Sequence, residues 1–171
     1  AYYQHMTLSD VGLTRRSVTK ILIDCLFSLT PIIGLLLFLP QLILLVLNVN
    51  VTIDYGLSDF TKNPLFVFGP SQILTLTTIF LSCTITGIAE EFIFRAFFFE
   101  KLKVFISNGI VRVVFISLLF AMGHLYLGLG STIAAFLIGT LFGLFYFKFR
   151  NLYALILAHT LVDFVFLVLY A

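Results

Sequence analysis

Between Ile73 and Phe99 the chain is apolar for long enough to cross a bilayer, yet the stretch Ala89-Glu90-Glu91-Phe92-Ile93-Phe94-Arg95 sets two adjacent carboxylates and a guanidinium inside that run. A charge near the middle of a membrane helix costs about 2.5 to 3.5 kcal/mol on insertion scales, so the three must pair with one another or line a polar cavity. The bilayer setting follows from composition. The chain is 61% hydrophobic and 11% charged, with a mean hydropathy of +1.15. A soluble domain is about 45 to 50% apolar and about 25% charged.

Charge also narrows the partners. A formal net charge of +2 with no basic run interleaved with aromatics excludes a nucleic-acid interface. Cys25 and Cys83 lie in apolar stretches without ligand spacing and read as small packing residues. No small-residue cleavage site follows a short apolar region, so no cleavable signal peptide is expected.

The apolar runs divide the chain into five spans. Segment one, about Val18 to Leu47, contains Pro31 and Pro40 and leads into a polar loop, Asn48 to Asn63; a kinked span is the simplest reading. Segment two runs from Pro70 to Lys101 and Lys103, and about 30 helical residues would reach about 45 Å, enough to require tilt or extension beyond the hydrocarbon. Segments three (about Gly109 to Leu127), four (about Thr132 to Phe147) and five (about Leu152 to Tyr170) are joined by tight links, so neighbours should be antiparallel. Arg15, Arg16 and Lys20 precede segment one, Lys101, Lys103 and Arg112 link two to three, and Lys148 and Arg150 link four to five. The positive-inside rule puts all three groups, and the N-terminus, on the cytoplasmic side.

In that topology the scattered polar residues converge in depth. At about 1.5 Å per residue, Glu90 lies about 16 Å above Lys101, His124 about 18 Å above Arg112 and His159 about 13 Å above Arg150. Glu91 and Arg95 are four apart and can neutralise each other on one helix face, which leaves Glu90 over. Phe120 and His124, and His159 and Asp163, repeat the four-residue spacing. Each pair alone has a bland reading: a shared arginine, a hydrogen-bonded buried histidine, or a polar contact gluing two helices. Together, a glutamate and a histidine that meet across a bundle can take a proton from water, and a second histidine with a polar neighbour can hold the oxyanion of an attacked carbonyl. That combination is amide hydrolysis. The same three residues, Glu90, His124 and His159, could instead hold zinc in an open three-ligand site. No His-Glu-x-x-His or Gly-x-Ser-x-Gly motif is present.

Glu90-Glu91-Phe92-Ile93-Phe94-Arg95, Phe120-Ala121-Met122-Gly123-His124 and His159-Thr160-Leu161-Val162-Asp163 resemble the Glu-Glu-x-x-x-Arg, Phe-x-x-x-His and His-x-x-x-Asn/Asp signatures of the CPBP family. That family holds type II CAAX prenyl endopeptidases and bacteriocin-processing or bacteriocin-immunity membrane proteins, formerly called Abi proteins. The resemblance covers about Pro70 to Tyr170. It implies an all-α polytopic bundle of about five transmembrane helices, with residues 70–171 as a four-helix catalytic core and 1–69 as an N-terminal span and external loop. It further implies that Glu90 and His124 activate water, that His159 with Asp163 forms the oxyanion side, and that Glu91 and Arg95, with Phe120, support the site. Two positions depart from the common pattern: Ala96, where many members have glycine, and Asp163, where asparagine is frequent and where an ionised carboxylate suits orienting His159 better than donating to an oxyanion. Members are often described as metalloproteases, yet the glutamate-dependent mechanism needs no metal, and no cofactor is the favoured expectation. The expected partners are the bilayer, in a bacterial cell membrane, and a hydrophobic or lipidated peptide, whether prenylated CAAX-type or bacteriocin-like. The competing readings are a silent immunity or scaffold protein of the same fold and a proton-coupled transporter, the latter disfavoured by the lack of inverted repeats.

Overall fold

The computed structural model describes residues 7–46 and 70–170. The polar loop expected at 48–63 falls outside them. Among the described residues the chain is helical and has no strand: α1 (Val18–Val46), α2 (Pro70–Glu91), a π-helical stretch (Phe92–Phe98), the single turn α3 (Phe99–Lys101), a 3-10 turn (Leu102–Val104), α4 (Gly109–Met122), a 3-10 turn (Leu125–Leu127), α5 (Leu129–Phe149) and α6 (Leu152–Tyr170).

The helix ends follow local chemistry. Ser17 Oγ accepts from the Lys20 amide at the start of α1, and Asn108 caps α4 by accepting from the amides of Ile110 and Val111. Pro70, whose missing N–H is no loss at a first helical position, opens α2. Helix α1 is assigned straight through Pro31 and Pro40. At the far end of α5, Arg150 takes a left-handed conformation (φ 51°) and its amide bonds to Tyr146 O. Arg16 reaches over from the N-terminal segment to donate to the carbonyls of Phe149 and Arg150.

Two helix pairs make the bundle: α2 lies along α6, and α4 along α5, with α1 packed on both α6 and α5. A single hydrophobic cluster joins Cys25 and Ile32 of α1 to Phe99, Phe142, Tyr146 and Leu155. Both cysteines are buried and free. The outward faces are apolar, Leu74 and Ile85 of α2 being 70% and 68% exposed, as a lipid-facing surface requires. Among the described residues three stretches are long and apolar enough to cross a membrane by length and composition, Val18–Leu35, Ile73–Val104 and Leu129–Phe149; Gly109–Met122 and Leu152–Val168 are shorter. The 14 residues of α4 cover only about 21 Å, against about 30 Å of hydrocarbon. The chain goes on through Gly123 and His124 into the 3-10 turn, and this break in the helix positions part of the site.

Away from that site, α1 is tied to the α5–α6 turn by a buried polar chain. Asn151 Nδ2 donates to Asp24 Oδ2 at 2.8 Å, Lys20 Nζ donates to Asp24 Oδ1 at 2.6 Å, and Asn151 Oδ1 accepts from the Ala154 amide in the first turn of α6. Asn151→Leu removes both the bond to a buried carboxylate and the cap. The expected loss is about 2 to 3 kcal/mol of stability, read as a lower unfolding midpoint in detergent; an unchanged midpoint would contradict this role.

Candidate active site

Helix α2 delivers the two glutamates, and it does so by close approach to α6. A Cβ on Gly87 would lie 3.1 Å from Thr160 Oγ1 and 3.3 Å from the Thr160 amide, so the two helices meet there in close approach. One turn further on, Glu91 is fully buried. Its Oε1 accepts from Arg95 Nη1 at 2.9 Å and from His159 Nδ1 at 2.8 Å. Arg95, 2% exposed, also donates through Nη2 to Gly139 O at 3.1 Å.

The helix carrying Arg95 is not the continuous α-helix expected. From Phe92 to Phe98 it widens into π turns, the Phe99 amide bonding to Phe94 O five residues back. Glu91, Arg95 and Phe99 are all buried at four-residue steps. In an α-helix of 3.6 residues per turn, each such step drifts about 40°. A turn holding one more residue removes most of that drift and keeps the three on one inward face.

Helix α6 brings His159 against this cluster. Because Nδ1 sits on a carboxylate oxygen that already binds a guanidinium, Nδ1 carries the hydrogen, and Nε2 turns to two further carboxylates, Glu90 Oε2 at 3.4 Å and Asp163 Oδ2 at 3.5 Å. The bond that orients His159 thus comes from Glu91 on α2, whereas Asp163, expected as the orienting group, lies at the opposite edge of the ring. Glu90 and Asp163 are partly open, their side chains 27% and 32% exposed, so they form the accessible rim of a cluster whose floor is Glu91 and Arg95.

Helix α4 supplies His124 by ending early. The expected helix to Leu127 stops at Met122, and after Gly123 the chain turns, leaving His124 at φ −102°, ψ 5°, the bridge region in which active-site residues are often found. His124 Nδ1 lies 2.9 Å from Phe120 O. A carbonyl only accepts, so Nδ1 donates and Nε2 is the acceptor nitrogen. His124 is within electrostatic range of Glu90 and Asp163. The Phe120 ring contacts both imidazoles, at 4.7 Å to His124 and 6.1 Å to His159 between ring centroids, and lies 5.1 Å from the Arg95 guanidinium.

All seven residues singled out in the sequence therefore fall in one region. Sequence reasoning missed what α5 contributes: the Gly139 carbonyl, and Phe142, whose ring is 5.5 Å from His159 and 5.8 Å from the Arg95 guanidinium. Both sit in a largely apolar span, Leu129 to Phe147, with no charged residue to draw attention to them. Among the described residues no group of three or more His, Cys, Asp or Glu side chains is arranged to hold a metal ion. The alternative zinc set Glu90, His124 and His159 does not make such a group as placed, although the Nδ1 bond to Glu91 leaves His159 Nε2 on the side of Glu90.

Residues 72–165, more than half of the chain, match the family described as Type II CAAX prenyl endopeptidase Rce1-like. The matched span runs from the start of α2 into α6 and contains every residue of the cluster. No curated protein and no solved structure matches the chain.

Proposed function

Since the chain belongs to the Rce1-like family of type II CAAX prenyl endopeptidases, we propose that it is an intramembrane endopeptidase that hydrolyses its substrate with a water activated by Glu90 and His124. The observation that carries this reading is the unequal treatment of the two adjacent glutamates. Glu91 is buried and bonded through Oε1 to Arg95 and His159, whereas Glu90 sits at the open rim beside an imidazole edge.

The steps follow from that arrangement. A water at the rim gives up a proton to Glu90, with the free Nε2 of His124 as a second acceptor in the same region, and its oxygen attacks the peptide carbonyl. The proton held among His159 Nε2, Glu90 and Asp163 offsets negative charge that develops on the carbonyl oxygen and then passes to the leaving amine. Glu91 and Arg95 do not exchange protons in this scheme. They hold His159 in one orientation, and the aromatic rings of Phe120 and Phe142 keep water away from the ion pair, which strengthens it. The substrate is a membrane-associated peptide of hydrophobic or lipidated character, prenylated CAAX-type or bacteriocin-like, because the rim opens within an apolar bundle.

The test is purified protein in detergent or liposomes against a library of hydrophobic and C-terminally prenylated peptides, beside the Glu90→Ala variant. Cleavage by the native chain alone supports the reading. Specific binding without cleavage would point instead to a silent immunity or scaffold protein of the same fold. The same assay addresses the metal: turnover is expected to survive dialysis against a strong chelator, with less than about a twofold change. Stoichiometric zinc, lost in Glu90→Ala and required for turnover, would reverse the metal-free mechanism.

A further inference from the structure

We infer that α5 is the positioning helix of this site, acting through Gly139 and Phe142 to hold Arg95 and His159 in register, although it bears none of the titratable residues. The inference rests on the endopeptidase reading for its kinetic consequence and on geometry alone for the positioning itself.

Two independent contacts support it. Gly139 touches the site with its carbonyl, which takes Arg95 Nη2 at 3.1 Å, and a side chain there would crowd its neighbours. A Cβ there would lie 3.1 Å from Phe120 Cδ1 and 3.8 Å from Arg95 Nη2. Phe120 is in turn the residue whose carbonyl fixes the His124 ring, so crowding at Gly139 would reach His124 through Phe120 as well as Arg95 directly. Phe142 lies one turn along, 1% exposed, with its ring against both the imidazole of His159 and the guanidinium of Arg95. Arg95 is thus held by a carboxylate, a carbonyl and two aromatic rings, and two of those four contacts come from α5. Freed from α5, Arg95 would pull Glu91, and with it the hydrogen bond that orients His159.

The experiment compares Gly139→Ala and Phe142→Met, the latter staying apolar while removing the ring, with Gly143→Ala as control. Gly143 is on the same helix, and a Cβ there would press on Val113 at 2.8 Å, loading the core without touching the cluster. Gly139→Ala and Phe142→Met are expected to lower kcat by about ten- to a hundredfold, the scale of a misplaced catalytic group, with KM within about twofold. Gly143→Ala, even where it lowers the unfolding midpoint as much, should leave kcat per folded molecule unchanged. A second readout needs no turnover. The chain has 3 histidines, so the Nδ1 proton of His159 can be assigned by substitution and followed by nuclear magnetic resonance; it should shift or broaden in the two site variants and not in the control. Equal kcat losses in all three variants, tracking stability, or an unmoved His159 resonance in Gly139→Ala and Phe142→Met would overturn the inference. If the native chain cleaves nothing, the endopeptidase reading fails, while the resonance still decides whether α5 positions the cluster.

Discussion

Glu90→Gln is expected to abolish peptide hydrolysis while the helical bundle stays folded. The amide keeps the shape of the carboxylate but cannot take a proton from water, and loss of a positioned general base costs about 10²- to 10⁴-fold in rate. Stability should hold because Glu90 is not part of the buried ion pair. Its side chain is 27% exposed and its nearest charged contact, His159 Nε2, is 3.4 Å away. Glu90, Glu91 and Asp163 all converge on one imidazole, so removing one negative charge relieves repulsion as much as it removes attraction. Parallel measurement of kcat and unfolding midpoint decides the matter: more than about a tenth of native activity in Glu90→Gln would show that the base lies elsewhere.

Glu91→Gln should behave in the opposite way, as a loss of stability first. Oε1 alone makes both hydrogen bonds of Glu91, and Oε2 has no partner. A glutamine can therefore reproduce the bonding pattern with its single oxygen, and what it takes away is charge. Arg95, 2% exposed, would then carry an uncompensated positive charge in a low-dielectric interior, a loss of about 3 to 5 kcal/mol. Replacing Arg95 as well, in Glu91→Gln/Arg95→Met, should recover much of that, because the double variant no longer buries an unpaired ion. Simple addition of the two single losses in chemical unfolding would argue against a coupled pair.

The contrast between the two glutamates was partly legible in the amino-acid order. The four-residue spacing of Glu91 and Arg95 picked out the ion pair and left Glu90 over, and apolar run lengths located all the long helices, since bilayer thickness and hydropathy act on whole segments. The failures were local. Nothing between Phe92 and Phe98 marks a π-helix, because that stretch has no proline, glycine or hydroxyl residue to disturb an α ladder; its cause is tertiary, the demand that Glu91, Arg95 and Phe99 all face inward. The early end of α4 does have a signal in Gly123, its C-cap, although the apolar run continues to Leu127. Depth arithmetic for His124 needs helix only two residues beyond the observed end at Met122, so the residue still arrives at the cluster. The spacing within α6 does pair Asp163 with His159, at Nε2, but it is blind to the closer carboxylate of Glu91 at Nδ1, which comes from another helix.

The widened turns below Glu91 make the length of this segment matter more than its letters. Exchange of one apolar residue for another between Phe92 and Phe98 leaves the winding alone. Wound as an ordinary α-helix with the same residues, the stretch would turn the glutamates by about 80° relative to Phe99 and the basic end of the helix, swinging Glu91 off His159. Loss of a single residue there would offset that turn, because seven α-helical steps between Glu91 and Phe99 come to nearly two whole turns. The widened turns thus take up one surplus residue, and the angle between the two halves of one rod is set by winding and length together.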